Sequence, residues 1–192
     1  SFFVHEKIVF STLLWYNKKK LKLQQGENEM GIYLNPENVD FQEVLNSKIY
    51  IDKSELIQYT NSVLRTTQKY ICVSRPRRFG KSMAANMLTA YYSRGCDSRG
   101  LFQGLKIATH PDFEKYLNQY NVIHLNMRDY LTESENMKQL IQFVEDDLLD
   151  ELQQEFSDLR MPRRKTLVKV LEQAFAQYKI PFVFIIDEWD CI

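Results

Sequence analysis

Cysteine is scarce and scattered. Cys72, Cys96 and Cys191 form no C-x-x-C pair, so neither a zinc site nor a disulfide framework is expected. Two of the three sit in apolar runs, where a free cysteine behaves as a small hydrophobe, and a reducing cytoplasm fits the set best. An excess of either charge is also lacking, since 25 basic residues balance 25 acidic ones. A globally basic nucleic-acid binder is therefore not indicated, although a local patch stays open. Long apolar runs are missing too. The stretch from Ile8 to Tyr16 is far too short to span a bilayer. Three lysines at positions 18–20 follow it, the wrong order for a secretory signal, and no membrane partner is expected. What remains, 44% hydrophobic and 26% charged over 192 residues, is an ordinary globular composition for one domain or a large piece of one.

A domain start reads at Ile32, with Met30 just before it. Gly26-Glu27 would be encoded by GGN-GAR, which can spell a purine-rich ribosome-binding site ahead of a Met30 start codon. Residues 1–29 are therefore expected to be upstream sequence translated in error, with a genuine amphipathic N-terminal helix as the alternative. Met30-Gly31 resembles a myristoylation start, but Asn35 stands where Ser or Thr is needed.

From Met30 onward apolar runs alternate with amphipathic helices. Lys48 to Ile51 reads as a short strand, followed by a helix from about Ser54 with that serine as its N-cap. Lys69 to Ser74 is a continuous β-prone run stopped by Pro76, the pattern of a buried strand. Met83, Met87, Leu88 and Tyr91 then recur at helical spacing. A second buried-strand pattern spans Asn121 to Met127. Met137, Leu140, Ile141, Val144, Leu148 and Leu152 share one helical face, and Leu167, Val170, Leu171, Ala174 and Phe175 share another. A third buried-strand pattern runs from Phe182 to Ile186. Strands separated by helices, apolar on both sides, predict an α/β fold with a parallel sheet flanked by helices on both faces.

Glycine is absent from one telling place. A phosphate loop of the pattern G-x-x-x-x-G-K-[ST] would start at Arg75, yet Gly80-Lys81-Ser82 completes its end. The triplet follows a predicted strand and opens a predicted helix, where backbone N–H groups and the helix dipole favour a phosphate. Gly80 lets the backbone approach the phosphate, Lys81 reaches the β/γ-phosphates, and the Ser82 hydroxyl suits Mg²⁺. The candidate nucleotide-binding set is Arg75, Pro76, Arg77, Arg78, Phe79, Gly80, Lys81, Ser82 and Met83. Pro76 stiffens the loop without offering a donor. Asp187 follows the third strand, where an aspartate holds Mg²⁺ through its water shell. Glu188 beside it is the residue type that activates an attacking water. Lys81 and Glu188 are thus the catalytic candidates, Ser82 and Asp187 the metal candidates. Arg163-Arg164-Lys165 is the other basic cluster, ahead of a core-facing helix. His124, inside a strand pattern, reads as structural. Trp189 reads as packing beside the sheet or stacking near the nucleotide, and Asp190 as a helix cap.

These residues resemble the bacterial AAA-ATPase-like family, known by an R-P-R-R-F-G-K-S loop, an upstream D-K-[ST] motif and a D-E-[YW]-D segment. Here they stand as SRPRRFGKS from Ser74 to Ser82, YIDKS from Tyr50 to Ser54, and FIIDEWD from Phe184 to Asp190. The resemblance spans Met30 to Ile192. It implies a P-loop NTPase-type sheet, ATP and Mg²⁺ as ligands, and Arg75 as the family's own residue. Gly80, Lys81 and Ser82 would bind phosphate and Mg²⁺, Asp187 would be the Walker-B aspartate, and Glu188 the base. Arg77 and Arg78 are candidate arginine fingers in cis, and Asp52 and Lys53 match the upstream motif, with an adenine-side or a loop-bracing role open for them.

Members commonly continue into a C-terminal domain resembling PD-(D/E)XK nucleases, the route to a nucleic-acid partner, which this sequence does not include. The sequence also stops shortly after the Walker-B strand. Residues 30–192 are accordingly expected to be the N-terminal portion of the ATPase domain, binding nucleotide poorly and not turning it over, in a protein that hydrolyses ATP when complete. A non-hydrolysing regulatory module and a nucleic-acid-processing module remain the alternatives.

Overall fold

A computed structural model describes residues 31–74, 76 and 78–191. The expected upstream segment 1–29 and the loop residues Arg75 and Arg77 lie outside the described residues. Along the chain, α1 (Val39–Leu45), α2 (Glu55–Val63), α3 (Lys81–Tyr92), α4 (Arg99–Phe102) and α5 (Phe113–Tyr116) precede β1 (Asn121–Asn126). Then follow α6 (Met127–Glu133), α7 (Met137–Glu155), α8 (Leu167–Tyr178) and β2 (Phe182–Asp187). Short 3-10 turns lie at Lys106–Thr109 and Trp189–Cys191. The chain is α/β. No helix among the described residues is long and apolar enough to cross a membrane.

The sheet of the described residues is a single parallel pair, with Asn121 opposite Phe182 and Asn126 opposite Asp187. Parallel neighbours need a long crossover, and α6, α7 and α8 supply it. Asn136 opens α7 by accepting the N–H of Gln139, a side-chain N-cap. Leu140, Leu148 and Leu152 of α7 and Val170 and Ala174 of α8 then pack on Ile123 and Leu125 of β1. Val122 points the other way, into a cluster with Met87, Ala90 and Tyr91 of α3, as strand alternation requires. Each fully buried aliphatic side chain here contributes about 1.5–3 kcal/mol.

The other edge of β1 is covered by the segment around Leu34. Leu34 bridges Ile123 in antiparallel fashion, and the N–H of His124 donates to the Tyr33 carbonyl. Glu151 of α7 holds this segment by accepting the N–H groups of Ile32, Tyr33 and Leu34. A Cβ at Gly31 would lie 2.1 Å from the Leu34 carbonyl oxygen, so only glycine fits the turn.

Two predicted strands are absent. Lys48 to Ile51 is a bend, and Lys69 to Ser74 is irregular and exposed, with Tyr70 85% accessible. Strand propensity expresses a fit to a pleated, half-buried surface. No described strand offers Lys69 to Ser74 a hydrogen-bonding ladder, so its apolar residues do not form one. The third run does form β2 but is not fully buried. Val183 and Ile185 pack toward α3 and Phe182 toward α8, while Phe184 and Ile186 are each 49% exposed. The predicted helices over α2, α3, α7 and α8 are all present. Ile141 and Phe175, predicted for core faces, are half exposed.

A buried polar network ties α2 to α3. The Tyr92 hydroxyl donates to Asn61 Oδ1 at 2.7 Å and lies 2.6 Å from Thr60 Oγ1. Asn61 Nδ2 donates to the Tyr91 hydroxyl, which donates to the Phe113 carbonyl at 2.7 Å. Burial pushes the Tyr91 hydroxyl up to about 12 and Tyr92 further, so both remain protonated donors. Replacing Asn61 by alanine strands these partners and is expected to cost about 1–3 kcal/mol in urea denaturation.

His124 of β1 lies with Nδ1 3.1 Å from Thr89 Oγ1 of α3. Burial lowers its pKa, with Asp187 and Asp40 opposing. The unfolded chain therefore binds a proton at His124 before the folded one does. This contribution to stability is present above the ordinary histidine pKa and is lost as pH falls below it. Denaturation at pH 7.5 and 5.5 should show a smaller loss of stability in His124→Gln than in the unaltered chain.

Candidate functional site

The phosphate-loop candidate leads into α3 through a left-handed residue. Gly80 has φ 75° and ψ 37° and stands at the N-cap without a capping side chain, and the first turn carries no acid. Methionines and alanines with high helix propensity follow at once, and the first α-type bond runs from Ala84 N–H to the Gly80 carbonyl at 3.1 Å. The leading N–H groups of α3 are thus of the kind that receives an anion. The positive φ favours glycine at position 80, where a Cβ would lie 2.7 Å from Lys53 Nζ and push that ammonium aside. Arg78 is also left-handed, at φ 70°, a conformation that costs a non-glycine residue about 1–2 kcal/mol.

Of the predicted loop residues, Pro76, Arg78, Phe79 and Ser82 are exposed, and Gly80, Lys81 and Met83 are half-buried. Arg75 and Arg77 lie outside the described residues. A cavity of about 360 Å³ adjoins the loop, lined by Ile49, Tyr50, Ile51, Phe79, Met83 and Met87 and including Lys53, Arg78 and Gly80. Its walls are mainly apolar, with two cations beside the glycine, a combination suited to a ligand with an apolar body and an anionic end. A larger open depression of about 610 Å³, around Glu55, Leu105, Lys106 and His110, includes no loop residue.

The acidic segment begins where β2 ends. Asp187 is the last strand residue and accepts the N–H of Glu188 at 2.9 Å. Glu188 is left-handed at φ 54°, which turns the chain sharply out of the strand. The parallel register places Asn126 beside Asp187, and α6 starts at the next residue of that neighbouring strand. Asn126 caps α6 by accepting the N–H of Arg128, whose guanidinium donates to Glu188 Oε2 at 3.1 Å. Asp190 reaches across to the loop and pairs with Lys81 at 3.5 Å. Both ion pairs are partly exposed, so each contributes at most about 1 kcal/mol to stability.

The structure therefore joins the loop to the acidic segment through Lys81 and Asp190, and engages Glu188 through Arg128. Asp190 lies in the 3-10 turn Trp189–Cys191 and faces Lys81. Trp189 is 53% exposed, which corrects the expectation that it packs beside the sheet. Arg128 went unnoticed in the sequence. Its one signal is its position two residues beyond β1, since parallel neighbours end side by side. The cluster Arg163-Arg164-Lys165 is exposed. Among the described residues, no group of three or more His, Cys, Asp or Glu could hold a metal ion. A metal at this site would be held by hydroxyl, carboxylate and ligand oxygens together, as suits Mg²⁺.

A family model described as Predicted AAA-ATPase matches residues 39–192, most of the chain. No curated protein and no solved structure matches it. The chain belongs to this AAA-ATPase-like family.

Proposed function

We propose that this member of the AAA-ATPase-like family binds ATP at the loop Arg78–Met83 with Mg²⁺ and hydrolyses it. The observation that carries the reading is the Lys81–Asp190 contact at 3.5 Å. It brings the glycine-lysine-serine turn at the start of α3 to the acidic turn at the end of β2, joining motifs far apart in sequence. Helices on both faces of a larger parallel sheet complete the fold in this reading.

The residues divide the work by chemistry. Gly80 presents backbone N–H groups to phosphate oxygens, and Lys81 exchanges its carboxylate partner for the β/γ-phosphates. The Ser82 hydroxyl and the Asp187 carboxylate, the latter through water, would hold Mg²⁺, which neutralises charge gathering on the phosphates. Glu188 accepts the proton of a water aligned with the γ-phosphate once its carboxylate is free of Arg128. The cavity bordered by Tyr50 and Met87 receives the base and sugar.

The Arg128–Glu188 pair favours a second reading, a nucleotide-binding regulatory module with negligible turnover. A cation on the catalytic base opposes its taking a proton. Single-turnover measurement with Mg-ATP separates the two readings.

Titration calorimetry should show Mg-ATP binding that Lys81→Ala weakens by about tenfold or more, since charge-assisted phosphate contacts are lost. Chelation of Mg²⁺ should weaken ATP more than ADP. Binding unaffected by Lys81→Ala would overturn the assignment of the loop. Glu188→Gln should keep nucleotide affinity within about twofold and reduce any turnover by about 100-fold or more. Unchanged turnover would remove Glu188 from the role of base.

A further inference from the structure

For the Asp52-Lys53-Ser54 tripeptide the sequence left a loop-bracing and an adenine-side role open, and its geometry decides between them. We propose that Lys53 is a positioning residue that sets the phosphate loop for a nucleotide's polyphosphate, an assignment that rests on reading Gly80–Ser82 as that loop.

Both neighbours of Lys53 are tied to the protein body. Asp52 accepts the N–H of Ser54 at 2.8 Å with one oxygen and the N–H of Lys106 at 2.9 Å with the other. Burial opposes ionisation of Asp52, and the N–H groups of Lys106 and Ser54 outweigh it, so its carboxyl is held below the usual range. Ser54, fully buried, accepts the N–H of Ile107 at 3.2 Å. The backbone entering α2 is thereby pinned to the 3-10 turn at Lys106–Thr109.

From this fixed base Lys53 extends to the loop, and its Nζ donates to the Phe79 carbonyl at 2.6 Å. Phe79 stands between two left-handed residues, Arg78 at φ 70° and Gly80 at φ 75°. Backbone of that kind persists only when its surroundings hold it. The peptide joining Phe79 to Gly80 is planar and trans, so anchoring its carbonyl also fixes its N–H in the opposite direction. That N–H belongs to Gly80, a donor of the sort that cradles phosphate. Lys53 has two further N–H donors and borders the cavity beside the loop. Gly80 leaves room for the ammonium, which a Cβ would meet at 2.7 Å.

The test compares the whole chain with Lys53→Met and Lys53→Arg. Hydrogen exchange of the loop amides is read without ligand, and ADP affinity by calorimetry. Lys53→Met is expected to speed loop exchange about tenfold and weaken ADP about tenfold, the scale of one charge-assisted hydrogen bond, with the melting temperature nearly unchanged. Lys53→Arg keeps charge and donor and should restore both to within about threefold. Unchanged loop exchange in Lys53→Met overturns the proposal, whatever ADP does. Faster loop exchange in Lys53→Met, with no ADP binding by the unaltered chain, supports the anchor and overturns the nucleotide reading instead. If Lys53→Met fails to fold, Lys53→Arg exchanging as slowly as the unaltered chain supports the anchor, and faster exchange overturns it.

Discussion

The register of the parallel pair is the constraint on which the site depends. Asn126 lies beside Asp187, so both strands end at the same level. Whatever follows each strand must emerge there. One exit starts α6 and delivers Arg128, and the other passes through Glu188 to Asp190. A one-residue slip would turn every side chain of a strand to the opposite face. It would send Ile123 and Leu125 toward α3 and expose the α7–α8 cluster, so the core that stabilises the fold also holds the carboxylates in place.

The loop depends on a second kind of constraint, one of backbone. Arg78, Gly80 and Glu188 all have positive φ, and all three lie at the site. Backbone of this kind persists where the surroundings sustain it. Here the surroundings are identifiable: α3 begins directly after Gly80, Lys53 holds the Phe79 carbonyl, and Asp187 holds the Glu188 N–H.

Lys81 and Glu188, the groups proposed to act on nucleotide, each carry a partner of opposite charge from within the chain, Asp190 on Lys81 and Arg128 on Glu188. Partly exposed pairs of this strength yield readily to a polyanion, which offers Lys81 more charge at equal distance. Asp190 stands only two residues beyond Glu188, so both ion pairs meet on one short acidic turn.

Much was legible in the sequence because it is local. The faces of α7 and α8 follow from apolar spacing, and Gly80 from the geometry that a turn into a helix demands. Asp187-Glu188 at a strand end follows from an apolar run meeting two acids. Lys69 to Ser74 was not legible. Its residues suit a strand, but a strand is a relation between two segments, and the described residues give this one no neighbour. The contacts of Lys81 with Asp190, Arg128 with Glu188 and Lys53 with Phe79 join residues 26 to 109 positions apart in the numbering. Apolar spacing by itself determined the helices, and the motif strings SRPRRFGKS, YIDKS and FIIDEWD pointed by resemblance to the family whose model matches the chain. Tertiary structure alone decided which charges meet, because register and crossover bring distant chain ends together.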